Sequence, residues 1–155
     1  MDGHEVVGAR DARIRPLRGK TMAMVFQEPM SALDPLMRVG KQLAQAGVRD
    51  AATALEEVEL DADIASRFPH QLSGGQRQRV LIAMAMAGHP DLLICDEPTT
   101  ALDATTQDGV LRVIERVTKA RGTALVFITH DLGVIRRMCP CLLYTSPSPR
   151  DRQKS

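Results

Sequence analysis

Apolar positions along this chain fall into two rhythms, short continuous runs and helical stripes, and the order in which they alternate predicts an architecture. Ala23 to Phe26 is a short apolar run behind a polar, arginine-rich lead, and Pro29 with Asp34-Pro35 punctuates the segment after it, so a strand and then a loop are expected. Between Arg38 and Arg67, Ala51, Ala54, Leu55 and Val58 fall at i, i+3, i+4 and i+7, with Gly47 before them and Asp50 as the candidate N-cap. That spacing predicts a small helical insert. Gly74 and Gly75 open a helix running to Gly88, and His89-Pro90-Asp91 turns the chain into a strand over Leu92 to Cys95. Val110, Leu111, Ile114 and Val117 form a second helical stripe that Gly122 closes, and Ala124 to Thr129 reads as a buried strand. Strand, helix, strand in that order implies a right-handed crossover and a parallel sheet, hence an α/β fold.

Composition narrows this only slightly. A chain of 155 residues that is 44% hydrophobic and 25% charged can bury one core, and a net charge of +1 offers no basic surface for nucleic acid, which is therefore excluded as a partner. Cys95, Cys139 and Cys141 make no disulfide framework, and a reducing compartment is expected. The longest apolar stretch, Val80 to Gly88, is too short to span a bilayer, and no signal-peptide pattern opens the chain, so any membrane association comes through a partner. From Pro140 the composition changes to a tail with no period and no core face.

Four places can carry chemistry. Asp96 and Glu97 end an apolar strand, so their carboxylates fall at the carboxyl edge of a parallel sheet, where ligands of open α/β folds bind. One of such a pair can hold a magnesium ion while the other polarises an attacking water, although a bare acidic pair before Pro98 also reads as a plain strand-end turn. Ser73, Gly74 and Gly75 precede a helix and offer backbone N–H groups and a hydroxyl to an anion, while a lone Ser-Gly-Gly is otherwise a flexible turn. Gln27 and His130 each follow a strand and, taken singly, read as structural polar residues. Asp103 can cap the helix behind it. Gly19-Lys20-Thr21 is no phosphate-binding loop: G-x-x-x-x-G-K-[ST] needs glycine at position 14, which is Ile14, and the triplet leads into a strand rather than a helix.

Taken together, LSGGQRQR from Leu72 to Arg79, CDEPTTALD from Cys95 to Asp103, Gln27 upstream and His130 downstream resemble the ATP-binding cassette of ABC transporters. The phrases MVFQEPMSALDP, FPHQLSGGQRQR, CDEPTTALDATTQ and THDLGVI are similar to subunits of bacterial oligopeptide, dipeptide and nickel importers. The resemblance implies a partial P-loop NTPase fold over residues 1–139, with a parallel core sheet, a helical subdomain at about 36–88, and an unrelated, disordered and non-native tail over 140–155. It implies ATP and Mg²⁺ as ligands, Glu97 as the base, Asp96 as the metal ligand, and Gln27 near both metal and attacking water. His130 would contact the γ-phosphate. Ser73, Gly74, Gly75 and Gln76 would contact the γ-phosphate of ATP on an opposite subunit, and Asp103 would couple the two sites.

The partners implied are a second ABC ATPase subunit, identical or not, transmembrane permease subunits and, indirectly, a substrate-binding protein. The location implied is the cytoplasmic face of the bacterial cell membrane. Three departures accompany the resemblance. The strand, P-loop (Walker A) and first helix expected before Met1 are absent, the helical insert is about one helix short, and the apolar strand expected after Cys139 is replaced by the tail. The chain is thus expected to be a fragment of an importer ATPase, the alternative being a short non-catalytic protein that pairs with an intact ATPase. An ABC protein of DNA repair is disfavoured, because no coiled-coil heptads separate Gln27 from Ser73.

Overall fold

The computed structural model describes residues 21–26 and 32–138. Gln27, the Gly19-Lys20 pair and the tail from Cys139 onward lie outside the described residues. Three strands form one parallel sheet in the order β1 (Met22–Val25), β2 (Leu92–Asp96), β3 (Ala124–Ile128). Between β1 and β2 come α1 (Val39–Gln45), α2 (Ala51–Glu57), two 3₁₀ turns (Ala62–Ser66 and Pro69–Gln71) and α3 (Gly74–Met86). The helix α4 (Ala104–Arg121) crosses from β2 to β3, and α5 (Leu132–Met138) comes last. The strands begin or end within a residue of the expected positions. The stripe on Val110 to Val117 extends to an 18-residue helix because Asp103 caps its start and Gly122, at φ 65°, ends it in the left-handed conformation that glycine adopts without a Cβ penalty.

Asp50 starts α2 as the spacing requires, accepting the Ala52 N–H at 3.0 Å and the Thr53 hydroxyl at 2.6 Å, and those bonds, the hydroxyl first, hold its carboxyl below the ordinary value. The sheet's start is pinned as firmly. Thr21 accepts the N–H groups of Asp91 and Leu92, Asp91 accepts that of Ala124, and the buried Thr123 hydroxyl donates to Pro90 at 2.9 Å. These bonds align the three strands so that their carboxyl ends share one edge.

The two faces of the sheet differ. Ala23, Val25, Leu93 and Cys95 are buried against Ile82 of α3 and Val113 and Ile114 of α4, in one continuous core. With no charge near enough to offset its burial, the Cys95 thiol is pushed up to about 12 and is an inert packing group. On the other face Met24, Ile94 and Val126 stand in one row, with Ile128 beyond them, and Met24, Val126 and Ile128 are 38%, 44% and 47% exposed. β1 and β3 each have one neighbour among the described residues. Apolar side chains on a pleated face beside open strand edges promote association. Replacing Val126 and Ile128 together by threonine should therefore lower self-association in light scattering while shifting the urea midpoint little, since both residues already face water. Unchanged association, or a loss of folding as large as that from Leu93→Thr, would show that this face is covered in solution.

Candidate active site

Parallel pairing decides what meets at the carboxyl edge. Asp96 pairs with Ile128 in register, and the Glu97 N–H continues the ladder by donating to the Ile128 carbonyl at 2.9 Å. Glu97 then turns at φ 47°, a left-handed backbone that costs a non-glycine residue on the order of 1–3 kcal/mol when held by its surroundings. The turn brings its carboxylate against two donors. His130 Nδ1 lies 2.7 Å from Oε1, and the Thr100 hydroxyl donates to Oε2 at 2.6 Å.

Those contacts set the protonation states. Glu97 is held below its ordinary pKa by the His130 hydrogen bond first and Thr100 second, and His130 is raised above its ordinary value by the same bond to Glu97. An ionised carboxylate only accepts, so the proton in this contact sits on His130 Nδ1, leaving Nε2 on a ring whose side chain is 73% exposed. Each Glu97 oxygen keeps a second lone pair for a water proton.

Ser73 to Gln76 form a second group. The Ser73 Oγ accepts the Gln76 N–H at 3.2 Å and the Gln76 Oε1 accepts the Ser73 N–H at 2.9 Å, a reciprocal capping box at the start of α3. Packing leaves no room for a side chain at Gly75 and a tight fit for one at Gly74. A Cβ on Gly75 would stand 2.3 Å from Thr106 Cγ2, and one on Gly74 would stand 3.1 Å from Leu102 Cδ2. Thr106 thus does two things at once: its methyl lies against Gly75, while its N–H and hydroxyl bind the Asp103 carboxylate at 3.1 and 2.6 Å. The hydroxyl is the first cause of the lowered Asp103 pKa. Arg77 ties the approach to the helix by donating to the carbonyls of Pro69 and Leu72.

The structure therefore brings Glu97 and His130 together, places Asp96 beside them at the strand end, and joins Ser73–Gln76 to Asp103 through Thr106. Three contributors were not singled out in the sequence. Thr100 is one of the two threonines after Pro98, Thr106 follows Asp103 at a capping distance, and Gln107 donates to the buried Thr99 hydroxyl at 3.3 Å while approaching Asp131. Asp131 itself accepts the Gly133 N–H at 2.8 Å, a turn legible in the Asp-Leu-Gly order.

No group of three or more His, Cys, Asp or Glu residues able to cage a metal occurs among the described residues. A magnesium ion needs no such cage, since it takes one or two carboxylates with waters and phosphate oxygens. Asp96 suits that requirement: it ends β2 half-buried, and among the described residues its carboxylate makes no hydrogen bond or ion pair.

Comparison with known proteins points the same way. The family model described as ABC transporter matches residues 1–100. The chain is 46% identical over 150 residues to a probable D,D-dipeptide transport ATP-binding protein of Escherichia coli K12, an alignment covering 88% of this chain and 46% of that protein. It is 42% identical to the oligopeptide transport ATP-binding protein OppD of Bacillus subtilis, covering 87% and 41%, and 43% identical to the glutathione import ATP-binding protein GsiA of Escherichia coli K12, covering 85% and 23%. The chain spans less than half the length of these curated relatives. A dimeric ATP-binding cassette in a post-hydrolysis state with ADP and Pi superposes with a TM-score of 0.70 at 30% identity, over 88% of this chain and 63% of that one.

The Glu97–His130 contact has a defined pH window. The raised His130 contributes stability fully below its ordinary value of 6.5 and loses it as pH rises through its higher folded value; the lowered Glu97 contributes above 4.5 and loses it as pH falls through its lower one. The contact is complete between those two values. In NMR titration His130 should titrate above 6.5, and Glu97→Gln should move it back toward 6.5. A midpoint that Glu97→Gln leaves in place would show that the contact is not formed in solution.

Proposed function

The chain belongs to the ABC transporter family, and we propose that it is part of the ATP-binding, ATP-hydrolysing subunit of a peptide importer. The Glu97–His130–Thr100 contact at the carboxyl end of β2 carries this reading, because it presents an ionised base beside a half-buried carboxylate at the edge where such sheets bind nucleotide. Glu97 orients a water and takes its proton as the water oxygen attacks the γ-phosphorus in line and the bond to the ADP oxygen breaks. Asp96 would hold a magnesium ion, which when bound would supply charge neutralisation for the phosphate oxygens. Through Nε2, His130 reaches the γ-phosphate while Nδ1 fixes its ring against Glu97. By the sequence resemblance, Gln27 would approach the same ion and attacking water.

Ser73–Gln76 act on a nucleotide held by a second ATPase subunit, with Asp103 linking the two sites. Support comes from the separation of bonding groups: Ser73–Gln76 bond among themselves and pack on Leu102 and Thr106, whereas Glu97 bonds to His130 and Thr100. The dimeric cassette that this chain resembles supports it as well. The peptide substrate class rests on relatives named for dipeptide, oligopeptide and glutathione transport. Among the described residues no helix is long and apolar enough to cross a membrane. The relatives' names, as ATP-binding proteins of transport systems, support permease subunits as partners, with this protein on their cytoplasmic side.

In a full-length protein carrying these residues, Glu97→Gln should leave ATP binding in place and slow hydrolysis by roughly 10² to 10⁴, the worth of a positioned general base. Near-normal steady-state turnover would remove Glu97 from that role.

Action across a dimer is separately testable. Full-length Ser73→Arg and Glu97→Gln subunits should each be nearly inactive alone, yet heterodimers of the two hold one site with both lesions and one with neither. Their mixture should regain partial hydrolysis. A mixture no more active than the sum of its parts, with heterodimers demonstrated by native mass spectrometry, would contradict action in trans through one intact site.

A further inference from the structure

Little packs against the His130 ring. Its side chain is mostly exposed, so the bond from Nδ1 to Glu97 and the backbone on either side of the residue decide where the ring stands. Before it comes the end of β3. After it the chain runs at once into α5, through Asp131: Oδ1 accepts the Gly133 N–H at 2.8 Å and that of Val134 at 3.4 Å, while the Asp131 N–H donates to the Thr129 hydroxyl at 3.1 Å. The histidine therefore follows the orientation of α5.

α5 has seven residues, and a helix that short is marginal in water unless it is docked on something. Its apolar hold is small. Met138 packs on the edge of the core, but the buried Val134 and Leu111 lie outside the main cluster, and both line a cavity of about 210 Å³ between α5 and α4. Polar contacts bridge that cavity. Gln107 Nε2 approaches Asp131 Oδ2 at the start of α5, at a long 3.5 Å, and near the other end the Arg137 guanidinium binds the Asp108 carboxylate, which also lies 3.4 Å from Arg112 on its own helix. Two adjacent residues of α4 thus hold the two ends of α5.

We propose that Asp108 is a positioning residue for His130: by binding Arg137 it clasps α5 onto α4 and so keeps the imidazole aimed at Glu97. Asp108 bonds to arginines and not to the histidine, so it acts through α5. The clasp concerns where the ring stands, and it rests on the ATPase reading only for what that placement serves.

NMR titration of His130 in the full chain, in wild type, Asp108→Asn, Arg137→Gln, the double variant and Arg112→Gln, tests this. Glu97 across the edge and Asp131 beside the ring act on it directly, while α5 carries Arg136 and Arg137, and α4 carries Asp108 and Arg112 behind its cap Asp103. Loss of the clasp weakens the contact with Glu97, so Asp108→Asn and Arg137→Gln should both lower the His130 midpoint by about 0.3 pH unit, an exposed ion pair moving a docking equilibrium only severalfold. Charge alone predicts opposite signs, because removing a carboxylate lowers an imidazolium's midpoint and removing a guanidinium raises it. The double variant should fall no further than the singles, since both break one contact. Arg112→Gln strips a cation from the same carboxylate without touching α5 and should not lower the midpoint. The proposal is overturned if wild-type His130 titrates at its ordinary value, if Arg137→Gln raises the midpoint or leaves it in place, if the two effects add, or if Arg112→Gln lowers it as far as Arg137→Gln does. Midpoints that behave as stated, with kcat unchanged in the full-length variants, would keep the clasp and remove His130 from hydrolysis.

Discussion

One backbone hydrogen bond organises the acidic edge: the Glu97 N–H on the Ile128 carbonyl. It carries the β2–β3 ladder one residue past Asp96, and there the chain turns left-handed at Glu97 although Pro98 comes next, with the Thr100 N–H closing back on the Glu97 carbonyl. The turn directs the side chain toward β3, where His130 stands two residues beyond the same Ile128. A ladder one residue shorter would leave Glu97 free to point elsewhere. The strain at Glu97 is held by that ladder bond together with the contacts from His130 and Thr100, so the site's geometry and its protonation state have one origin.

Much of this was legible in the residues. Asp50 and Asp103 announced their helices because a short acidic side chain before an apolar stripe has few other uses, and Gly122 announced an end because its backbone is left-handed. The parallel sheet emerged from strand–helix–strand order. Less legible was anything set by close approach between elements distant in sequence. Nothing local marks Thr106 as the residue that both binds Asp103 and limits Gly75, nor Asp108 as the partner of Arg137. Gly74 and Gly75 read as ligand-approaching residues, and the structure adds close packing against α4, tightest at Gly75, as a second reason for them. The roles given to Gln27 lie outside the described residues and rest on sequence resemblance.

Thr106 also bears on why a family of ATPases would place its acidic edge and the capped start of α3 on separate elements. Its methyl packs on Gly75 at the start of α3 while its hydroxyl binds Asp103 at the start of α4, so one side chain touches both helix starts. Glu97 connects to that pair only through the short stretch from Pro98 to Leu102, with Thr99 tied by Gln107 toward Asp131 and hence to the residue after His130. The two groups are therefore joined by a mixed path: hydrogen bonds of Gln107 to Thr99 and Asp131, the chain through Asp103 and Thr106, and last a methyl contact of Thr106 with Gly75. In a dimer this path gives each site a mechanical reason to register the state of the other. Its weakest member is the Gln107–Asp131 contact at 3.5 Å, which makes that pair the place where coupling between the two groups would be lost first.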